Sequence, residues 1–312
     1  MAARGDMMQS ALATAGAHAQ VIAELTWVLV IGSTAIFVAV MALVWYALWR
    51  SPSPIASRRW LVGGGIAFPA VVLAALLVHA LIVTNELSAH AADPALTIRV
   101  TGKRWWWDVR YAHPAARDAL VTTANEIHLP VGRDVKLLLD TEDVIHSFWV
   151  PSLAGKVDMI PGRVNHLVLR AEKSGIYRGQ CAEYCGAQHA HMALYVVAHE
   201  PAEFERWLER EARPAAEETA APVQRGRALF AAAGCAQCHT VRGTAAAGRL
   251  GPDLTHVASR LSLAAGLLEN NAGTLAGWIA NAQALKPGNL MPSMKLAAED
   301  LHALTAYMRS LQ

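Results

Sequence analysis

The sequence predicts a multi-domain membrane protein: a hairpin of two transmembrane helices, then a small β-barrel or sandwich, then a compact helical unit. Three observations carry that prediction. Two long runs near the start contain no charged residue, a middle stretch alternates short β-rich runs with turn residues, and the final stretch shows helical spacing around a cysteine-rich turn. Of the 312 residues 54% are hydrophobic and only 17% are charged, against about 25% charged in an ordinary soluble domain.

The spans come first. Leu25 to Trp49 reads LTWVLVIGSTAIFVAVMALVWYALW, and Trp60 to Val83 reads WLVGGGIAFPAVVLAALLVHALIV. Each exceeds the roughly 20 residues a helix needs to cross a hydrocarbon core of about 30 Å. Both are apolar on all sides and flanked by Trp27, Trp45, Trp49 and Trp60, which suits lipid with interfacial anchors better than a protein core. Gly63 to Gly65 and Pro69 predict a kink and a close helix contact in the second span. The loop RSPSPIASRR carries Arg50, Arg58 and Arg59 and no acid, so the positive-inside rule makes it cytoplasmic. Both termini and everything after Val83 then lie outside. The tail before the spans, residues 1–24, has neither the basic start nor the short apolar run of a cleavable signal peptide. Either the first span acts as the export signal or a presequence stands outside this chain. A net charge of +2 gives no reason to expect nucleic acid or another polyanion as partner.

After the anchor, residues 25–94, the period changes. ALTIRVTGKRWWWDVRY, DVKLLLD and NHLVLRAE are short strand-like runs separated by HPAARD, LPVGRD and IPGR, predicting a β domain over 95–206. Residues 207–222, rich in Ala, Glu and Pro, read as a solvated linker that is partly helical at its start. In 223–312, VQRGRALFAAAGCAQCH, LAGWIANAQAL and AEDLHALTAYMRSLQ read as helices, the last with Leu301, Leu304, Met308 and Leu311 on one face. A helical domain this small gains much from a bound group that completes its core.

All four cysteines fall into two pairs, Cys181 with Cys185 and Cys235 with Cys238. Two disulfides are the default in an oxidising compartment, but the neighbours of each pair argue otherwise. CAQCH, Cys235 to His239, is the pattern of covalent haem attachment: two thiols for the porphyrin vinyls and His239 for the iron. KPGNLMP offers Met291 as sixth ligand, preferred over Met294 because Pro292 keeps it in a loop; a His/Met pair raises the potential and suits electron transfer. GQCAEYCGAQHAHM gathers Cys181, Cys185, His189, His191 and Met192. Thiolates, imidazole and thioether on a β-barrel form the ligand set of an electron-transfer copper centre, while a structural zinc site is the alternative. Two thiolates can bridge two copper ions, each then needing its own histidine, and His146 beside Phe148, Trp149 and Pro151 is the second candidate, in an apolar setting. In KRWWWDVRY three successive tryptophans alternate faces if they lie on a strand, so an exposed aromatic docking patch is expected there, with burial against the membrane-side partner as the alternative.

DVIHSFWVPS, IPGR and GQCAEYCGAQHAHM, with the tryptophan run and the two spans, resemble subunit II of the haem–copper respiratory oxidases. CAQCH, GPDLTHVASR and KPGNLMP resemble the cytochrome c domain fused to that subunit in caa-type oxidases. The resemblance implies a cupredoxin-like Greek-key β-barrel over 95–206 and an all-α cytochrome c domain over 223–312. It implies a dinuclear copper centre (CuA) bridged by Cys181 and Cys185, with His146 and His189 as terminal ligands, Met192 as the weak axial ligand and the Glu183 carbonyl as the other. It also implies a magnesium ion at the Glu183 carboxylate shared with subunit I, electron entry through Trp105, and no assigned role for His191. The partners implied are subunits I and III, membrane lipid, and cytochrome c or a quinol–cytochrome c reductase as donor, with the copper and haem domains on the periplasmic side of a bacterial plasma membrane. Oxygen reduction and proton pumping would fall to the complex, oxygen chemistry taking place in subunit I. One position departs from the family: a glutamate at a proton-channel mouth in many relatives is here Ser57, so no proton-uptake residue is assigned. A CuA-bearing subunit of a nitric oxide reductase and a tethered copper-delivery protein remain as alternatives.

Overall fold

The computed structural model describes residues 9–50, 57–88, 96–112 and 121–312, so loop residues 51–56 and the HPAARD turn lie outside the described residues. Two compact units divide the chain: residues 20–92, and residues 1–19 with 93–312.

The first of these is helical. Helix α1 (Ala17–Trp49) begins at Ala17 rather than Leu25, and α2 (Ser57–Val62) continues into α3 (Phe68–Ser88) through the π-turn Gly63–Ala67. There the Phe68 N–H reaches back to the Gly63 carbonyl. Pro69 has no N–H to donate and its ring crowds the preceding turn, so widening the helix just before it relieves both problems. Both helical segments, 33 and 28 residues, are long and apolar enough to cross a membrane.

In the other unit ten strands form two five-stranded sheets. One runs β3 (Val121–Ala124), β2 (Trp106–Ala112), β1 (Leu96–Lys103), β5 (Val135–Thr141), β8 (Asn165–Leu169). The second runs β4 (Glu126–Pro130), β10 (Ala193–His199), β9 (Gly175–Cys181), β6 (His146–Trp149), β7 (Val157–Met159). Pairing is antiparallel except for β1 with β5 and β4 with β10. The two-residue period fills the core: Val135, Leu137 and Leu139 of β5, and Trp107, Val109 and Tyr111 of β2, are buried together with Phe148, Leu153 and Met159. This is the cupredoxin-like domain. The segment before α1 is tied to it, since the Ala15 and Gly16 N–H groups both donate to the Ser152 carbonyl, at 2.8 and 3.1 Å.

Helix α4 (Pro201–Glu211) closes one end of the barrel. Phe204, Trp207, Leu208 and Glu211, spaced for one helical face, are buried, and Trp207 stacks on His128 at 4.0 Å. Burial of each large side chain contributes roughly 1.5–3 kcal/mol. Trp207, Leu208 and Glu211 therefore face the barrel while Glu209 and Arg210 stay exposed, and the stretch read as linker from 207 starts with the last turn of this helix. The C-terminal domain is built from α5 (Ala221–Ala232), α6 (Ala272–Leu285) and α7 (Ala298–Ser310), with Phe230 of α5 meeting Tyr307 of α7 edge to face at 5.7 Å. It is helical apart from one short antiparallel pair, Ser262–Leu263 with Leu268–Glu269, whose turn holds Ala264 and Ala265 at φ 54° and 61°.

Candidate metal and haem sites

The loop between β9 and β10 carries one candidate site. Cys181 ends β9, the Cys181 N–H closes the loop on the Met192 carbonyl (2.9 Å), and the Ala182 N–H ties it to the Ser147 carbonyl of β6 (2.9 Å). Those bonds bring His146, the first residue of β6 and fully buried, to the same place from 35 residues away in sequence. The Cys181 and Cys185 sulfurs lie 3.8 Å apart, far beyond the ~2.05 Å of a disulfide. Each thiol has its own imidazole: His146 Nδ1 is 3.7 Å from Cys181 Sγ, and His189 Nδ1 is 3.6 Å from Cys185 Sγ. Met192 Sδ stands 3.9 Å from Cys185 Sγ, and the Glu183 carbonyl 3.2 Å from Cys181 Sγ. Every donor predicted for the copper site is thus in one cluster.

Donor spacing bears on how many ions fit. A sulfur and a nitrogen bound at about 2.3 and 2.0 Å to one tetrahedral ion sit about 3.5 Å apart. The two Cys–His pairs match that value separately. His146, Cys181 and Cys185 have ligand atoms all within 4.8 Å of one another, and His189 is not of that group. A single tetrahedral zinc would draw all four donors within about 4 Å. Two ions bridged by the thiolates suit the arrangement better.

Charge around the cluster favours one thiolate beside a hydrogen-bonded imidazole. The hydrogen bond with Cys185, helped by His146, pushes the Cys181 thiol well down, while the same contact and burial push Cys185 up, so the pair holds one thiolate readily. Burial alone would lower His146, but the Asp143 hydrogen bond and Cys181 reverse this and raise it. Asp143 was not singled out from sequence. Its Oδ1 accepts from His146 Nε2 and the Val144 N–H, at 2.8 and 2.7 Å, and its Oδ2 from the Arg104 N–H at 2.7 Å. A carboxylate behind the far nitrogen of a ligating histidine fixes its tautomer and ring direction. Gly102 was also missed: a Cβ there would fall 2.8 Å from His146 Cδ2, so only glycine lets β1 pass this close. Asp143 stands three residues before His146 in TEDVIH, a signal that was readable; Gly102 had none.

Tryptophan placement differs from the expected exposed patch. Trp105 sits in the turn between β1 and β2, not on a strand, and is 8% exposed; Trp107 is fully buried and Trp106 half-buried beneath Lys103. Trp105 is covered because the C-terminal domain lies over it. Its Nε1–H donates to the Cys185 carbonyl (3.0 Å), while its own carbonyl accepts from Lys286 Nζ (2.8 Å) of the C-terminal domain.

The second site is in that domain. Cys235 and Cys238 are free and half-buried, on and beside the 3-10 turn Cys235–Gln237 that follows α5. His239 Nδ1 is 2.8 Å from the Pro252 carbonyl, which makes Nδ1 the donor and leaves Nε2, with no hydrogen bond among the described residues, to face a metal. Burial holds His239 below its usual value, keeping it neutral as an iron ligand requires. A Cβ at Gly251 would fall 2.4 Å from His239 Cε1, so the glycine of GPDL admits this packing. Met291 and Met294 are both half-buried in the loop before α7; the Met291 carbonyl accepts from Gln283 Nε2 (2.8 Å) and the Met294 N–H donates to the Ala280 carbonyl (3.0 Å). The free vicinal thiols and the oriented, neutral imidazole suit a covalent haem. The Glu183 carboxylate meets Lys156 Nζ at 3.7 Å, and the side chain of Ser57 lies outside the described residues.

Two family models match. "Cytochrome C oxidase subunit II, periplasmic domain" covers residues 112–199, and "Cytochrome c" covers residues 223–312. The chain is 40% identical over 221 residues to "Cytochrome c oxidase subunit 2" of Alkalihalophilus pseudofirmus, a match that takes in 70% of this chain and 62% of that protein's length. It is 31% identical over 199 residues to the protein of the same name from Branchiostoma floridae, across 56% of this chain and 85% of the relative. Among solved structures, the periplasmic domain of subunit II of cytochrome oxidase (CoxB) of Bradyrhizobium japonicum aligns at 32% identity and TM-score 0.36, over 39% of this chain and 96% of that one.

Proposed function

The chain belongs to the cytochrome c oxidase subunit II family, and on that premise we propose that it is the electron-entry subunit of a terminal respiratory oxidase. Bound haem c and a dinuclear copper centre would supply one-electron chemistry, and oxygen reduction with proton pumping would belong to subunit I of the same complex. The residues of this chain hold and orient those groups. Cys235, Cys238, His239 and Met291 would hold the haem. Cys181, Cys185, His146, His189, Met192 and the Glu183 carbonyl would hold the copper pair. Asp143 fixes the His146 ring, and the apolar setting of Phe148 and Val150 keeps water from the thiolates. A magnesium ion at the subunit I boundary would take the Glu183 carboxylate in exchange for Lys156.

The observation that carries the reading is Trp105. Its side chain bonds directly to the Cys185 carbonyl and lies under Gly288, so covalent and hydrogen bonds run from the copper loop through Trp105 and Lys286 to the loop that would bring Met291 to the haem. The tether of Ala15 and Gly16 to the barrel favours an N-terminus on the same outer face as the copper domain, with two spans in the plasma membrane. Cytochrome c or a quinol–cytochrome c reductase would deliver electrons, and subunits I and III would be the membrane partners. The test is an electron paramagnetic resonance spectrum and metal analysis of the oxidised, copper-loaded chain. Hyperfine splitting from one electron shared by two coppers, at two coppers per chain, supports the proposal. A single-copper pattern, or zinc bound instead, would sink it.

A further inference from the structure

Lys286 lies in the C-terminal domain, just beyond α6, yet is only 2% exposed. Its Nζ makes three hydrogen bonds, all to main-chain carbonyls: Trp105 at 2.8 Å, His191 at 2.7 Å and Ala264 at 2.9 Å. Burial pulls Lys286 down to about 7 from the usual 10.5; in its ammonium form it has three donors and no acceptor, and this nest satisfies all three. Trp105 and His191 belong to the copper domain, one in the electron-entry turn and the other next to Met192. Ala264 belongs to the C-terminal domain's own short hairpin. A second bond runs beside it, from Gln188 Nε2 to the Pro287 carbonyl (2.9 Å), and Gln188 Oε1 is held by His191 Nδ1 (2.8 Å). Two further amides cross the same boundary: Ala193 N–H to the Ala265 carbonyl at 3.0 Å, and Leu261 N–H to the Glu126 carboxylate. A Cβ at Gly288 would lie 3.6 Å from Trp105 Cη2, so the loop leading to Met291 rests on that ring.

We propose that Lys286 is the positioning residue that locks the haem-bearing loop onto Trp105 and the copper loop, making the haem domain a fixed part of the electron-entry unit rather than a tethered, swinging carrier. The proposal rests on the electron-entry reading given above. It gives His191 a role: its carbonyl receives the lysine and its ring aims Gln188. Buried Lys286 resists separation, because opening the boundary takes the Trp105 and His191 carbonyls away from Nζ and leaves it only Ala264, at the point where the two domains meet. The step served is one electron leaving the haem iron and entering the copper pair, with no bond made or broken and no proton moved.

The test uses the full chain carrying haem and copper, with Lys286→Met and, as a milder lesion, Gln188→Ala. Hydrogen–deuterium exchange reads the Ala193 and Leu261 amides against Val109 in the barrel core, and transient absorption after photoinjection of one electron into the haem reads its passage to copper. The observed rate follows the docked fraction, so Lys286→Met should slow transfer about tenfold and make it viscosity-dependent, with a similar loss of protection at Ala193 and Leu261 only. Gln188→Ala should move both readouts the same way by less. Unchanged protection and rate in Lys286→Met would overturn the proposal; if that variant does not fold, unchanged values in Gln188→Ala would do so. Lost protection in the variants, with no haem-to-copper transfer even in the unaltered chain, would keep the lock and remove the electron-entry reading instead.

Discussion

Replacing Asp143 by asparagine tests the copper site at a residue that touches no metal. The carboxylate takes four donors: His146 Nε2 and the Val144 N–H on Oδ1 and the Arg104 N–H on Oδ2, all within 2.8 Å, and Thr141 Oγ1 on Oδ1 at 3.4 Å. Asparagine offers one oxygen. Facing it toward His146 and Val144 turns its NH2 against the Arg104 N–H, and facing it the other way opposes two donors. The side chain also loses the charge that keeps Nε2 protonated and Nδ1 free for copper. Losing such a carboxylate costs about 10–100-fold in metal affinity, or about 1.4–2.7 kcal/mol. Copper affinity of Asp143→Asn should therefore fall by that factor in a chelator-competition titration, with the haem spectrum unaltered. Asp134→Asn, an acid of the same barrel that faces Arg170, should leave it alone. A change below about threefold in Asp143→Asn, or an equal change in Asp134→Asn, would refute the orienting role.

Three further outcomes are expected. Cys185→Ser should abolish the two-copper resonance while the haem stays attached, because the ligand sets share no residue; loss of both would mean the domains do not fold independently. Met291→Ala should keep the haem but lower its potential and open the iron to added ligands, whereas the same effects from Met294→Ala alone would reverse the axial assignment. Burial, with His128 and Arg210 adding, pulls His199 down to about 4 from the usual 6.5. The unfolded chain then binds the proton first, so this contribution to stability is complete above about pH 6.5 and is lost as pH falls toward 4. The ring is partly exposed, which screens the effect to about 1–2 kcal/mol. His199→Gln should flatten the acid limb of unfolding free energy by that amount, and parallel curves for the two proteins would exclude it.

Local chemistry made much of this protein readable. Uncharged runs longer than a bilayer is thick have one physical solution, and CAQCH carries its haem-binding geometry within a single turn. The copper loop was nearly as legible, since Cys181 to Met192 supplies five of the six donors by proximity along the chain. The helical start of the linker was read, but not its burial, because Trp207, Leu208 and Glu211 keep helical spacing in a stretch whose Ala, Glu and Pro content reads as solvated. The tryptophan run was misjudged for a different reason: alternation holds only on a strand, and Trp105 stands in a turn.

By itself, then, the sequence determined the two apolar spans, the order of the β and helical domains, and the gathering of cysteine, histidine and methionine in one loop, because each depends on composition or on spacing within a few residues. Tertiary structure alone decided what stands behind and between the sites. Asp143 behind His146, Gly102 beneath its ring, and Lys286 reaching Trp105 across 181 positions are contacts between segments that no local pattern relates. They exist because burying a polar group forces it to find a partner, and folding, not sequence distance, sets which partner is near.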